Sequence, residues 1–175
     1  MGLDISYYKN ARAITDEERA ALEQIPENHR YDWTEERGIE RLYRNPGFPG
    51  RDEGLPSDDW VTAEAVGTFC AGSYGGYGDW RRNLASLVGI DNLRAWWDAP
   101  QPGPFAELLN FADNEGVIGP VVSAKLAKDF AEWRARASEF ASTLPDDDGE
   151  WFMRKYKDWQ AAFTAAQQGG YVDFH

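Results

Sequence analysis

The amino-acid sequence predicts one α+β domain over residues 1–175, in which helices cover a small antiparallel sheet. Alternating apolar and polar residues around Leu3, Ile5 and Tyr7 are typical of a strand, and the apolar run 66–71 indicates a second, buried strand. Apolar residues at steps of three and four across 121–167 instead predict amphipathic helices. Strands early in the chain and helices late in it are typical of the α+β class.

The N-terminal part combines one clear helix start with an irregular segment. Thr15 and Glu18 have the spacing of a capping box, which predicts that a helix begins there and ends before Pro26. Turn dipeptides are frequent between Pro26 and Pro56, where only the alternating run 39–43 indicates a short strand. We therefore expect this segment to be the least regular part of the chain.

Helices dominate the prediction for the rest of the chain. A helix is expected over 79–88, whereas the apolar run 105–111 is too short for its pattern to distinguish helix from strand. Two longer helices over 121–144 and 150–167 flank a turn-rich stretch, so the sequence predicts a long C-terminal antiparallel helix hairpin. Residues 171–174 then indicate a terminal strand.

Composition restricts the classes of partner and compartment. A net charge of −12 repels phosphate backbones, so direct nucleic-acid binding is not expected. No stretch is apolar and long enough for a membrane span, and we expect a cytoplasmic protein without a membrane partner. Cys70 is the one cysteine, which excludes an internal disulfide framework, and its place in an apolar run indicates a buried structural thiol.

The segment 72–81 is the most informative part of the sequence, because four glycines alternate with hydroxyl, aromatic and basic side chains. It is predicted to form a turn that leads into the helix expected from residue 79, and it lacks the residues that define P-loops and dinucleotide-binding loops. Two interpretations stay open: aromatic side chains that pack in the core, or the wall of a ligand pocket. The candidate ligand-binding residues here are Ser73, Tyr74, Tyr77 and Arg81.

A second candidate segment, 110–119, precedes the first long helix. Amides at a helix N-terminus bind anions, so Gly119 is a candidate for a phosphate or carboxylate site. The alternative is purely structural, because glycine and proline are also common where a helix begins. Asp113 and Glu115 offer oxygen ligands without a third nearby, so no metal site is predicted, and no cofactor is expected. The candidates, expected beside those of segment 72–81, are Asp113, Asn114, Glu115, Gly116 and Gly119.

The sequence assigns no catalytic residue. His29 lies in the irregular segment and His175 at the chain end, so a histidine-based triad has few candidates. Carboxylates are abundant, and their number by itself does not indicate acid–base chemistry at any one of them. The sequence therefore favours binding over catalysis and leaves the question of enzymatic activity open.

Five blocks of the sequence share a pattern with one known group of proteins. They are Met1-Gly-Leu-Asp-Ile5, Phe69-x-Ala-Gly-Ser-Tyr-x-Gly-Tyr-x-x-Trp80-Arg81, Asn110-Phe-x-Asp-x-Glu-Gly-x-Ile-Gly-Pro120, Ser123-Ala-Lys-Leu126 and Val172-Asp-Phe-His175. With these blocks the chain resembles a family of small uncharacterised proteins of tailed bacteriophages and prophages. The resemblance implies an intracellular, phage-associated setting and carries over no catalytic residue.

Two functions follow as expectations. The first is an acidic, non-enzymatic phage-type protein that binds a host or phage protein, with interference in host defence as one role, through its acidic N-terminal third or the segment 72–81. The alternative is a small-molecule-binding protein or small enzyme whose anionic ligand lies between Ser73–Arg81 and Asn110–Gly119. The acidic third includes Asp16, Glu17, Glu18, Glu23, Glu27, Asp52, Glu53, Asp58 and Asp59.

Overall fold

The computed structural model describes residues 2–145 and 147–175, and within them the chain forms eight helices and five strands. Met1, in the first block of the resemblance, and Asp146, in the turn predicted between the two long helices, lie outside these residues. The α+β class is confirmed. In chain order the elements are β1 (Gly2–Ala13), α1 (Asp16–Gln24), α2 (Glu27–Glu35), β2 (Ile39–Arg41), β3 (Trp60–Ser73), α3 (Tyr74–Leu87), α4 (Leu93–Trp97), α5 (Ala106–Leu109), β4 (Gly116–Ile118), α6 (Pro120–Glu132), α7 (Arg134–Ala141), α8 (Asp148–Ala166) and β5 (Tyr171–Phe174).

The strands form one antiparallel sheet in the order β2-β3-β1-β5-β4. β1 and β3 make the central pair, with Ile5 opposite Phe69 and Ser6 opposite Thr68. Their register shifts at three places, and such bulges increase the local twist of a sheet. β5 pairs with β1 and places Asp173 opposite Ser6, so the two ends of the chain lie side by side in the sheet.

One face of the sheet packs on helices α3, α6 and α8 and forms an aromatic core. Trp159 of α8 is central to it, with its ring centroid 5.1 Å from that of Phe69, 5.3 Å from Phe174 and 5.8 Å from Trp80. Leu3 of β1 faces the same core and is fully buried. Because the apolar stripes of the three helices must leave water, they lie together on this side of the sheet.

The opposite, outer face of the sheet is partly open. A smaller apolar cluster covers one end of it, where Leu42 and Leu55 pack near Val61. Farther along β3, Val66 and Cys70 are exposed, so the expectations of a buried strand and a buried thiol are wrong. Successive residues of a strand point to opposite faces, and helices cover only the inner one.

The capping box at the start of α1 is confirmed. The Thr15 hydroxyl accepts a hydrogen bond from the Glu18 N–H, and the Glu18 carboxylate accepts one from the Thr15 N–H. Helix α2 lies in the segment predicted to be irregular and contains His29. Its residues lack a regular apolar stripe, so the pattern predicts no helix; its contact with the fold includes a small cluster of Trp33 and Ile39.

The C-terminal helices differ from their prediction at one point. Trp133 divides the helix predicted over 121–144 into α6 and α7, and α8 follows after the turn. α8 packs on α6 through Phe130, whose ring centroid is 4.7 Å from that of Tyr156. A long uninterrupted antiparallel hairpin is therefore not confirmed. Within the two described ranges, no helix combines the length and the apolar character that crossing a membrane requires.

Candidate functional site

Helix α3 begins at Tyr74, inside the glycine-rich segment, so the prediction of a turn that continues until a helix starts at residue 79 is wrong. Ser73 is its N-cap residue, and the Ser73 hydroxyl accepts a hydrogen bond of 3.1 Å from the Gly76 N–H. Gly72, just before the cap, has a φ of 128°, which favours glycine. The Ser73 hydroxyl is therefore occupied in the helix cap, and Tyr74 is exposed at the start of the helix.

Arg81, two turns into α3, joins the two segments that the sequence singles out. Its Nη1 donates a hydrogen bond of 2.9 Å to the Phe111 carbonyl oxygen. Its Nη2 lies 3.7 Å from Asp113 Oδ2, which is an ion-pair distance but too long for a hydrogen bond. Segments 72–81 and 110–119 thus meet at this one side chain.

Two aromatic rings hold the Arg81 guanidinium in place. Its Cζ lies 4.9 Å from the centroid of the Tyr77 ring and 5.0 Å from that of Trp97. The Trp97 indole N–H donates a hydrogen bond of 2.8 Å to the Leu109 carbonyl oxygen, which fixes this ring. Cation–π contacts contribute about 0.5–1 kcal/mol at exposed sites and ~2 kcal/mol when water is excluded. The charge of Arg81 is therefore held at a defined position.

Arg81 keeps unused donor capacity although it is only 3% exposed. Its Nε–H has no hydrogen-bond partner among the described residues, a property it shares there with three other buried side-chain atoms: Tyr77 OH, Trp159 Nε1 and Tyr171 OH. A buried donor without an acceptor costs about 1–3 kcal/mol. An oxyanion beside the guanidinium would supply the missing acceptor and carry the opposite charge.

A cleft of about 420 Å³ opens beside Arg81, and we call it the Arg81 cleft. Its size lies in the range of small-ligand sites, which is about 300–1,000 Å³. Trp97 and Phe48 offer apolar surface, and asparagine side chains offer amides. The lining residues are Asn45, Phe48, Arg81, Trp97, Asn110, Phe111, Ala112, Asp113 and Asn114. Of the residues predicted from the sequence, the cleft brings together Arg81, Asp113 and Asn114.

Three other predicted residues lie next to this cleft without lining it. Tyr77 is fully buried beneath Arg81; burial raises the pKa of the Tyr77 hydroxyl to about 12, and the charge of Arg81 opposes this rise. Glu115 has an exposed side chain, and its carbonyl oxygen accepts a hydrogen bond of 3.0 Å from Asn45 Nδ2. Gly116 is the first residue of β4, where its φ of 132° again favours glycine.

The anion site considered at the N-terminus of α6 is occupied by the chain itself. The Gly119 N–H donates a hydrogen bond of 2.7 Å to the Arg51 carbonyl oxygen, and the Val121 N–H donates one of 3.3 Å to that of Glu53. A Cβ at Gly119 would lie 2.8 Å from the Asp52 backbone. Gly119 therefore permits close packing of this loop, and the geometry does not support a phosphate there.

Sequence reasoning missed Trp97, Phe48 and Asn45 as cleft residues. The sequence signal for Trp97 was its place in a pair of tryptophans just before a proline-rich stretch. In the structure, Trp97 is 41% exposed. Asn45 belongs to an Asn-Pro-Gly turn, and its Oδ1 accepts a hydrogen bond of 3.0 Å from the Gly47 N–H. Nothing in the sequence indicates that this turn reaches segment 110–114.

A group of titratable side chains lies on the outer face of the sheet around β5. Burial, followed by the nearby Glu40 carboxylate, raises the pKa of Asp173 to about 7. The same two causes, burial first, contribute to raising the pKa of the buried Tyr171 hydroxyl. At the end of the strand, His175 Nε2 lies 2.9 Å from Ser6 Oγ. We expect this group to make stability depend on pH.

A further cleft, of about 620 Å³, lies between α7 and α8. Its charged lining residues are balanced, with Arg154 and Lys157 beside Glu150 and Asp158. None of its lining side chains within the described part of the chain has a buried polar atom without a partner. This cleft is larger than the Arg81 cleft but has no feature that selects a ligand.

Among residues 2–145 and 147–175, no group of three or more His, Cys, Asp and Glu side chains is arranged to hold a metal ion. No protein-family model, no curated protein and no solved structure matches the chain. Function is therefore inferred from the geometry of the Arg81 cleft.

Proposed function

We propose that this protein binds a small anionic ligand whose carboxylate or phosphate group pairs with Arg81 in the Arg81 cleft. The observation that carries the proposal is a buried guanidinium that has an unpaired Nε–H and borders a cleft of ligand size. Burying a cation without full pairing is unfavourable. A ligand that supplies an acceptor for the Arg81 Nε–H would remove the cost of this unpaired donor.

The orientation of the guanidinium favours an oxyanion with two oxygens. Nη1 of Arg81 is used by the Phe111 carbonyl oxygen. The side-on edge of the guanidinium fork, formed by Nε and Nη2, has no hydrogen bond within the described residues. Two parallel N–H groups on one edge match the two oxygens of a carboxylate or phosphate. Tyr77 and Trp97 prevent the fork from rotating away from this orientation.

Asp113 sits at the edge of the cleft as a weak internal partner for Arg81. Its side chain is more than half exposed, and its carboxylate stays 3.7 Å from Nη2. Because the Asp113 carboxylate is largely solvated and too far from Nη2 for a hydrogen bond, a bound anion can displace this contact at little cost. Asp113 is the one carboxylate among the residues that line the cleft, and we propose binding without a chemical step.

The test is a titration with benzoate and, separately, with inorganic phosphate at constant ionic strength. We expect the NMR signals of the Arg81 Nε–H and the Trp97 indole N–H to shift with saturation. Arg81→Gln removes the charge and Arg81→Lys keeps it without the fork, and both should weaken binding at least tenfold. Arg136→Gln is the matched control, because Arg136 also stacks on a tryptophan, Trp133, at an exposed position.

Saturable shifts that persist in Arg81→Gln would show that the anion binds elsewhere. Absence of any shift with either probe up to 50-fold excess over the protein would contradict the proposal. Because Arg81→Gln leaves the Phe111 carbonyl oxygen without its donor, the melting temperature of each variant is measured first.

A second candidate function is the binding of a host or phage protein in a bacteriophage setting. The observation in its favour is Tyr31 on α2, which is 73% exposed within an acidic surface. Exposed tyrosines are frequent anchors of protein interfaces, and surrounding charge speeds association with a basic partner. The exposed carboxylates of α1 and α2 are Asp16, Glu17, Glu23, Glu27, Asp32 and Glu35, and the exposed Glu36 follows directly after α2.

Capture from a bacterial lysate at low and high salt tests this candidate. A partner that is retained by the wild-type protein, lost at 0.5 M salt and lost with Tyr31→Ala would support it. Tyr43→Ala is the control, since Tyr43 is also exposed but lies outside α1 and α2. Capture that is equal for the wild type and Tyr31→Ala would contradict it.

A further inference from the structure

A second cleft, of about 330 Å³, adjoins the Arg81 cleft and lies between α3 and α4. We call it the α3–α4 cleft. Arg81 and Trp97 line both clefts, so the two spaces share one wall. The remaining lining residues of the α3–α4 cleft are Gly78, Arg82, Ser86, Ile90, Asp91, Asn92, Leu93 and Arg94.

The charge of the α3–α4 cleft is opposite to that of the protein. Arg81, Arg82 and Arg94 line it together with a single carboxylate, Asp91, whereas the whole chain carries a net charge of −12. Arg82 pairs with Asp79 on the same helix. Within the described residues, the Arg94 guanidinium has neither a hydrogen bond nor an ion pair. Arg82 and Arg94 are exposed at the cleft, whereas Arg81 is buried in the wall that the two clefts share. A cleft lined mainly by one sign of charge concentrates potential of that sign.

The shared wall is a flat, partly open aromatic surface. Arg81 lies over the Trp97 ring, and 41% of Trp97 stays exposed. The ring is fixed by its hydrogen bond to the Leu109 carbonyl oxygen. A planar group can therefore stack on Trp97 while substituents at its two ends reach the two clefts.

We propose that the ligand is a planar organic dianion that spans both clefts. One anionic group pairs with the free edge of the Arg81 guanidinium, the planar part stacks on Trp97, and the second anionic group pairs with Arg94, assisted by Arg82. This inference rests on the proposed function and adds the ligand class: two acidic groups at opposite ends of a flat ring. A monoanion occupies only the Arg81 cleft and binds more weakly.

Terephthalate and benzoate are the probes, because they differ by one carboxylate on the same ring. In calorimetric titrations at constant ionic strength, we expect terephthalate to bind at least tenfold more tightly than benzoate. Arg94→Gln should lower terephthalate affinity about tenfold and benzoate affinity much less. Arg81→Gln should weaken the binding of both, and Arg136→Gln should change neither.

The outcomes separate this inference from the proposed function. If benzoate binds through Arg81 and terephthalate binds no more tightly, the dianion inference is wrong while the Arg81 site stands. If terephthalate binds more tightly but Arg94→Gln leaves its affinity unchanged, the second group does not lie in the α3–α4 cleft and the inference is overturned. If neither probe binds, both proposals are overturned.

Discussion

Arg81 and Asp129 are the two buried side chains of the Lys, Arg, Asp and Glu types among the residues that the structure describes, and their surroundings differ. Asp129 Oδ2 accepts a hydrogen bond of 2.8 Å from the Phe105 N–H and pairs with Lys125 Nζ at 2.8 Å. Arg81 has a carbonyl oxygen on one nitrogen, a distant carboxylate on another and, within residues 2–145 and 147–175, no partner on the third. The anion is neutralised within the fold, and the cation is not.

The difference separates a structural charge from a candidate recognition charge. Phe105 has a φ of 58°, which is costly for a residue with a side chain, and the bond from its N–H to Asp129 holds it there. Asp129 thereby anchors the segment before α5 to α6. Arg81 leaves part of its pairing capacity unused beside a cleft. The Asp129 carboxylate is used to hold two segments of the fold together, whereas the free edge of Arg81 can bind a ligand.

Asp129→Ala is expected to cause the largest loss of stability among the variants that test this comparison. It removes the acceptor for the buried Phe105 N–H, and a buried donor without an acceptor costs about 1–3 kcal/mol. Lys125 is partly exposed and keeps its pair with Glu107, so its loss of Asp129 adds little. Urea unfolding measures the loss of stability. The control is Glu132→Ala on the same helix, where an exposed pair with Lys128 predicts a change of about 0–1 kcal/mol. Equal effects of the two variants would contradict a structural role for Asp129.

Asp173→Asn tests a second acid, which has no ion-pair partner within the described residues and has the Glu40 carboxylate nearby. The folded-state pKa of about 7 exceeds the ordinary value of 3.8, so the folded protein retains a proton that the unfolded chain releases between these values. The contribution of Asp173 to the free energy of unfolding is therefore complete below pH 4 and is lost as the pH rises through 7. We expect Asp173→Asn to remove this decline and to stabilise the protein at pH 8 by on the order of 2 kcal/mol.

Chemical denaturation of wild type and Asp173→Asn between pH 4 and 8 measures this effect. Asp4→Asn is the control, because Asp4 is an exposed aspartate of the neighbouring strand. The interpretation fails if the wild type and Asp173→Asn lose stability in parallel as the pH rises.

Tyr77→Phe tests whether the Nε edge of Arg81 is free of a hydrogen bond with the Tyr77 hydroxyl. The Tyr77 hydroxyl is buried, and neither it nor Arg81 Nε has a partner within the described residues. Removing an unpaired buried hydroxyl should leave stability unchanged or raise it by about 1 kcal/mol. Tyr156→Phe is the control: the Tyr156 hydroxyl donates a hydrogen bond of 2.8 Å to the Phe130 carbonyl oxygen, and its loss should cost about 1 kcal/mol. A similar loss for Tyr77→Phe would reveal a hydrogen bond between Tyr77 and Arg81.

Asp113→Asn is expected to have the smallest effect. It removes the carboxylate that competes with the ligand for Arg81 Nη2 and repels a bound anion. Because Asp113 is exposed, screening limits the gain in benzoate affinity to about two- to fivefold, which corresponds to ~0.4–1 kcal/mol. Calorimetry measures the change, and Asp91→Asn, in the α3–α4 cleft, is the comparison variant. Weaker binding by Asp113→Asn would show that Asp113 orients Arg81 for the ligand.

The elements that the sequence predicts well have signals within a few neighbouring residues. Thr15 and Glu18 define the start of α1 through local hydrogen bonds, and the alternation around Leu3 and Ile5 predicts β1. Helix α2 and the first turn of α3 have no such signal. In α3 the early residues are glycines, and the Ser73 cap, not an apolar stripe, begins the helix. Cys70 is misassigned because hydrophobicity does not tell which face of a strand is covered.

The candidate site was predictable only in part. Arg81, Asp113 and Asn114 belong to the two glycine-containing segments that the sequence indicates as candidate ligand sites. In the structure they line one cleft. Trp97 and Asn45 come from other parts of the chain and have no local pattern that assigns them to this place. The anion site at Gly119 fails for the same reason, since its amide is used by Arg51 from a distant loop.

The sequence by itself determined the α+β class, the acidic net charge and the helix start at Thr15, because each depends on composition or on residues close in the chain. The tertiary structure decided which face of the sheet is buried. It also decided that Arg81 is enclosed between Tyr77 and Trp97, with one edge that no described residue pairs. Burial and pairing depend on residues far apart in sequence. They arise only when packing brings those residues together, and no local pattern encodes them.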